Sequence, residues 1–224
     1  MDASVARLRA LGPRCDCHEK HPRKRVVLTG GPGAGKTAVL ELVRRHFCEH
    51  VLVLPEAAGL VYGGGFPRTE ETEGHRCGQR AIFHVQRELE AFADAADNSA
   101  IVLCDRGTLD GLAYWRGAPA EMMEQVGTTI ERELSRYDLV IHMRTPPPNE
   151  YNHSNRLRVE TPQQAAEIDR RIEEVWRAHP HRVFIQSADD FLAKASYAIR
   201  LLRDQLPACC RHHADTNLTD DLVV

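Results

Sequence analysis

Eight consecutive residues, Gly30-Gly31-Pro32-Gly33-Ala34-Gly35-Lys36-Thr37, carry the most specific chemistry in the chain. They fit G-x-x-x-x-G-K-[ST] in full. In that pattern glycines let successive backbone N–H groups point inward at a phosphate, the lysine adds a mobile positive charge, and the hydroxyl ligates Mg²⁺. The apolar run Arg25-Val26-Val27-Leu28-Thr29 precedes it, and Ala38, Val39, Leu42, Val43 and Phe47 follow at helical spacing. This is the strand-to-helix setting the pattern requires, with the helix N-terminus contributing partial positive charge. Gly30 to Thr37 are therefore expected to hold ATP or GTP, with Lys36 on the β- and γ-phosphates.

Carboxylates at other strand ends extend this chemistry. Asp105 directly follows Ile101-Val102-Leu103-Cys104, where an acidic residue can hold Mg²⁺ together with Thr37. Glu56 follows the run Val51 to Leu54 and is a candidate base for the proton of a hydroxyl acceptor. Arg106 is placed to reach a phosphate. Arg144, Arg156 and Arg158 flank or occupy a later loop, and Arg156 and Arg158 are the candidates for stabilising charge that spreads over a transferring phosphoryl group.

Positioning these groups requires strands that end on one edge. Apolar runs at 25–29, 51–54, 100–104, 139–143 and 183–185 are too continuous for half-exposed strands and read as a parallel sheet covered on both faces. Helical patterns alternate with them, over Gln79 to Ala96, Ala120 to Leu134, a segment opened by Thr161-Pro162-Gln163-Gln164, and a last one opened by Ser187 and Asp190 with Phe191, Leu192, Ala195, Ile199 and Leu202 as its buried stripe. The order predicts an α/β fold, an open doubly wound five-stranded parallel sheet. It divides the chain into an arm, 1–24, a domain, 25–206, and a polar tail, 207–224. Two long connections, 56–75 and 144–160, read as lid-like loops beside the carboxyl ends of the strands.

Composition narrows the partners. The 224 residues carry 29 Lys plus Arg against 32 Asp plus Glu, a net charge of −3 that argues against a nucleic-acid-coating surface. The short basic cluster Lys20, Arg23, Lys24 and Arg25 reads as a solvated edge. No apolar run reaches the length of a membrane span and no secretory signal is visible, so the cytoplasm is the default. Seven cysteines, an odd number without scaffold spacing, read as reduced thiols. Cys15, Cys17, His18 and His21 have soft donors but lack paired C-x-x-C spacing, and the favoured reading there is a frayed arm.

The segments VVLTGGPGAGKTAVLELV, VLVLPEAAG, GGGFPR, IVLCDRGTLDGLAYW, NRLRVET and EIDRRIEEVW together resemble a compact P-loop kinase-like AAA-type ATP-binding domain. That domain is similar to nicotinamide riboside kinase domains and, more widely, to nucleoside and nucleotide kinases. The resemblance covers roughly residues 25 to 205. It implies the phosphate loop after the first strand, an Asp-Arg pair at Asp105-Arg106, an arginine-bearing lid at Arg156 and Arg158, a proton-accepting carboxylate at Glu56, and a base-reading glutamine for which Gln86 is the match. The expectation is a kinase moving the γ-phosphoryl of ATP or GTP, with Mg²⁺, to a hydroxyl of a nucleoside-like or other small metabolite. The alternative is a nucleotide-dependent switch acting on a protein or lipid partner. Neither the acceptor nor the oligomeric state is specified.

Overall fold

Five apolar runs become five parallel strands in a computed structural model that describes residues 8–17, 19–95, 99–147, 161–186 and 191–211. They are β1 (Lys24–Thr29), β2 (Val51–Leu54), β3 (Ile101–Asp105), β4 (Leu139–Met143) and β5 (Arg182–Ile185), ordered β2-β3-β1-β4-β5. Because side chains alternate across a strand, β1 to β4 each feed both layers. Val26, Leu28, Val53, Leu103 and Ile141 pack on one face, whereas Val27, Leu52, Val102 and Val140 pack on the other. Burying each such side chain contributes about 1.5–3 kcal/mol.

Helix α1 (Lys36–His46) covers the first face with Val39, Leu42 and Val43, and Arg44, Arg45 and His46 suit the negative end of its dipole. The helix α7 (Phe191–Gln205) lies beside it and buries Ala195, Ile199 and Leu202. Phe191 and Leu192, expected in that stripe, are partly exposed instead. Ser187 and Asp190, expected to open this helix, lie outside the described residues.

The opposite face carries α3 (Thr72–Ala95), a 3-10 turn at Thr108–Ala113, α4 (Pro119–Gln125), α5 (Ile130–Leu134) and α6 (Pro162–Val175). The start of α6 matches expectation: Gln164 N–H donates to Thr161 Oγ1 at 3.2 Å, and Thr161 N–H to Gln164 Oε1 at 2.8 Å. The single helix expected over 120–134 is broken in two, because Gly127 turns the chain at φ 72° and Thr129 caps a new start. Met122 and Met123 are core residues, buried within this layer. Phe92 on α3 is partly exposed.

Most of the loop expected at 56–75 is helical. Helix α2 (Ala57–Gly63) begins directly after Glu56, and α3 starts at Thr72, seven residues before its expected Gln79. Glu71 supplies that early start by accepting N–H groups of Glu73 (3.0 Å) and Gly74 (2.6 Å). The described part of the arm, residues 8–17 and 19–24, is packed rather than frayed. Arg9 pairs antiparallel with Leu52, Ala10 N–H donates to Val51 O at 2.9 Å, and Val53 N–H donates to Leu8 O at 2.8 Å. Ala10 and Cys15 are buried. Pro207 leads into a short helix, α8 (Ala208–Arg211), whose Cys210 is buried. The basic cluster also finds partners: Arg25 Nη2 donates to both oxygens of Asp94 at 2.8 and 2.7 Å, and Arg23 Nη1 donates to Asp94 O at 2.6 Å. Among the described residues no helix is long and apolar enough to cross a membrane.

Candidate functional site

The chain reverses its direction of strand addition around β1, which lies between β3 and β4, and the glycine loop emerges at that switch point. Gly30 takes φ 134°, and a Cβ there would overlap the Met143 carbonyl. Gly35, at φ 93°, caps α1 without a side-chain hydrogen bond, so the first turn of the helix keeps N–H groups for an anion. Phe191 lies against this glycine, within 2.6 Å of where a Cβ would stand.

Within the loop, Lys36 is folded back: its Nζ donates to Gly30 O at 2.8 Å and Gly31 O at 3.1 Å. Burial, with the neighbouring Arg106 charge, pulls its ammonium down to about 8 although Asp105 and Glu56 oppose this. Thr37 is exposed at the next position. Asp105 ends β3, and burial pushes its carboxyl from 3.8 up to about 6 against the attraction of Lys36. Its Oδ1 is buried with no hydrogen-bond partner among the described residues. An orphaned carboxylate oxygen at the end of β3 and an exposed hydroxyl at the start of α1 are hard oxygen donors of the kind Mg²⁺ takes.

Arg106 follows in the left-handed region at φ 70°, a strained conformation that aims its side chain back across the loop. Nε donates to Glu56 Oε1 at 2.7 Å, and Nη1 to Gly30 O at 3.2 Å and Asp110 Oδ1 at 3.3 Å. The structure thus brings Lys36, Glu56, Asp105 and Arg106 to one place. Burial works to raise the Glu56 carboxyl, but the charge and hydrogen bond of Arg106, helped by Lys36, bring it below its ordinary value. Glu56 is ionised at neutral pH.

Two aspartates that the sequence reading gave no role hold this assembly. Asp110 is buried and accepts from Thr29 Oγ1, from Gly107 N–H at 3.0 Å and from Trp176 Nε1 at 3.1 Å. Asp169, on α6, accepts from Gly31 N–H at 2.8 Å and Arg144 Nη1 at 3.3 Å, with His142 Nε2 2.9 Å away. It fixes the glycine loop from the side opposite Arg106. Arg144 also pairs with Glu173 at 2.6 Å and stacks on Phe184, so its charge is already engaged. Arg156 and Arg158 lie outside the described residues.

Beside the loop a cavity of about 360 Å³ opens past Pro32, Glu56 and Arg106, in the size range of small-molecule sites. Tyr62, Phe83 and Tyr114 supply aromatic wall, and Gln79 and Gln86 supply amides. Gln86, matched to a base-reading position by resemblance, lines the cavity while its Nε2 donates to Glu90 Oε1 at 2.8 Å.

Sheet order, glycine loop and strand-end carboxylates define a P-loop NTPase domain of kinase-like topology, a nucleotide-binding architecture. The model of the AAA domain family matches residues 25–193, and the chain belongs to that family. A solved structure of NadR protein in complex with NAD and AMP-PNP superposes with a TM-score of 0.56 at 15% identity, covering 82% of this chain and 49% of that one. The chain thus spans about half the length of NadR. No curated protein matches the sequence.

Proposed function

We propose that this domain is a small-molecule kinase that transfers the γ-phosphoryl of ATP or GTP to a hydroxyl of a nucleoside-like metabolite. The observation that carries the reading is the cavity of about 360 Å³ that opens directly beside the phosphate loop and has Glu56 in its wall. A domain that only hydrolyses nucleotide has no need of an aromatic and amide-lined compartment there. The bound NAD and AMP-PNP of NadR support a fold that accommodates an adenine nucleotide together with a second ribosyl compound.

In this reading the N–H groups of residues 30 to 37 cradle the phosphates. Lys36 leaves the carbonyls of Gly30 and Gly31 to follow the β- and γ-oxygens. Thr37 and Asp105 are the residues that would hold Mg²⁺, which neutralises phosphate charge when bound. Arg106 is within reach of the transferring group, and its bond to Glu56 keeps that carboxylate ionised and oriented. Glu56 then receives the acceptor's hydroxyl proton as the new O–P bond forms and the bond from the γ-phosphorus to the β–γ bridging oxygen breaks, releasing ADP or GDP. Tyr62, Phe83 and Tyr114 offer faces on which a flat heterocycle can stack, with Gln79 and Gln86 addressing its polar edge. Arg156 and Arg158 are proposed to stabilise the charge that develops on the transferring phosphoryl group.

The test is incubation with γ-labelled ATP or GTP, Mg²⁺ and a panel of nucleosides and ribosyl metabolites. A phosphorylated product is expected, its rate falling by about 10²–10⁴-fold in Glu56→Gln while nucleotide affinity is retained. Slow hydrolysis alone, unchanged by any member of the panel, would overturn the reading.

A further inference from the structure

Four side chains that phosphate chemistry does not use converge at the other end of the sheet. Cys48 and His50 stand just before β2, Cys15 comes from the arm and Cys210 from α8. All four are buried, with relative exposures of 7% or less. Cys15 Sγ lies 3.7 Å from Cys210 Sγ, and His50 Nδ1 lies 3.4 Å from Cys210 Sγ and 3.7 Å from Cys48 Sγ. The four donor atoms all fall within 4.8 Å of one another.

These separations discriminate between explanations. A disulfide brings its sulfurs to about 2.05 Å, so none is formed, and all seven cysteines are free thiols. With Zn–S of about 2.3 Å and Zn–N of about 2.0–2.1 Å, tetrahedral angles place S···S at about 3.8 Å and S···N at about 3.5 Å. The Cys15–Cys210 and His50–Cys210 distances fall within a few tenths of an ångström of those values. Three thiols with one imidazole form a soft, closed Cys₃His set, which suits Zn²⁺ rather than the oxygen-seeking ions of the phosphate site.

We propose that Cys15, Cys48, His50 and Cys210 form a structural zinc site that fastens the arm and α8 to the start of β2. On binding, the three thiols release their protons to solvent and the ion takes their place. The strands are parallel and the glycine loop follows the carboxyl end of β1, so a site before the amino end of β2 lies away from the chemistry and acts through stability. It joins positions as far apart as 15 and 210, and a metal that binds only the assembled ligands adds its binding free energy to folding. Next to it Cys17 Sγ and Cys209 Sγ each lie 3.3 Å from His21 Nε2, and Cys209 Sγ is 3.6 Å from Cys210 Sγ. This partly exposed trio offers three donors beside the first set.

Metal content of the full chain, purified under reducing conditions without chelator, tests the proposal. One zinc per chain is expected, or two if the trio also fills. One equivalent should be lost in both Cys48→Ser and Cys210→Ser and none in Cys77→Ser, a cysteine outside either group. Because both serine substitutions place a hydroxyl in the core, the wild-type protein provides a second measurement. Replacing zinc by Co²⁺ should give the visible bands of a tetrahedral, thiolate-rich centre, and removal of the metal should lower the melting temperature. Absence of stoichiometric metal would overturn the site, as would a metal retained by Cys48→Ser and Cys210→Ser but lost in Cys17→Ser. A Cys15–Cys210 disulfide found by mass spectrometry in the native protein would overturn it as well.

Discussion

Replacing Asp105 with asparagine should make the free protein more stable and its nucleotide complex weaker. The carboxyl is enclosed at the end of β3 with Oδ1 unpartnered among the described residues, and burial lifts it from 3.8 to about 6. A carboxyl that titrates higher in the folded than in the unfolded chain opposes folding when ionised. The penalty is absent below pH 3.8, grows as pH rises to about 6, and is complete above that. At 1.36 kcal/mol for each tenfold change in proton affinity, the rise corresponds to about 3 kcal/mol at neutral pH. Asparagine keeps the shape and removes the charge, so Asp105→Asn should recover up to that amount. Urea unfolding at about pH 7.5 and pH 5, with and without Mg²⁺ and a non-hydrolysable triphosphate, is the assay. The variant should unfold at higher urea at pH 7.5, the gap should narrow at pH 5, and the added stability that Mg²⁺-nucleotide gives the wild type should be lost. A less stable variant at pH 7.5, or one that Mg²⁺-nucleotide stabilises as strongly as the wild type, would refute the reasoning.

Affinity for Mg²⁺-nucleotide should itself be bell-shaped in pH. It should fall below about 6 as Asp105 gains a proton and above about 8 as Lys36 loses one, and isothermal titration across that range should show the acid limb vanish in Asp105→Asn. Asp169→Ala leaves Arg144, His142 and the Gly31 N–H without their shared acceptor. It should cost about 3–5 kcal/mol, as removal of one member of a buried ionic set does, read as a lowered denaturation midpoint. Gly30→Ala meets both a left-handed backbone and the Met143 carbonyl. It should lose at least about 1–3 kcal/mol together with nucleotide binding, measured by thermal unfolding with and without nucleotide.

Strands were legible because both sheet faces are covered, which writes them as unbroken apolar runs such as Val51 to Leu54. The glycine loop was legible because its function needs adjacent residues. What escaped depends on distance along the chain. Asp110 meets Thr29 across 81 residues and Asp169 meets Gly31 across 138, so no local spacing marks either. Cys15 and Cys17 were visible as soft donors, yet their partners Cys210 and Cys209 come from the far end of the chain. Local chemistry marked the connection at 64–71 correctly but misled at its two ends, where residues 57–63 and 72–75 are helical. Glu71 caps the second of these helices, and Gly127 ends one that periodicity alone would continue.

The antiparallel pairing of Leu8 to Ala10 with β2 has a consequence for solubility. β2 is the outermost strand of its side of the sheet, and its four residues, Val-Leu-Val-Leu, would present a flat apolar edge ready to recruit another chain. The paired arm occupies those backbone groups. It also emerges from the ribosome before the strand it shields, so the shield is present when the edge first forms. A chain lacking residues 1–13 would retain the phosphate loop yet be expected to self-associate through β2.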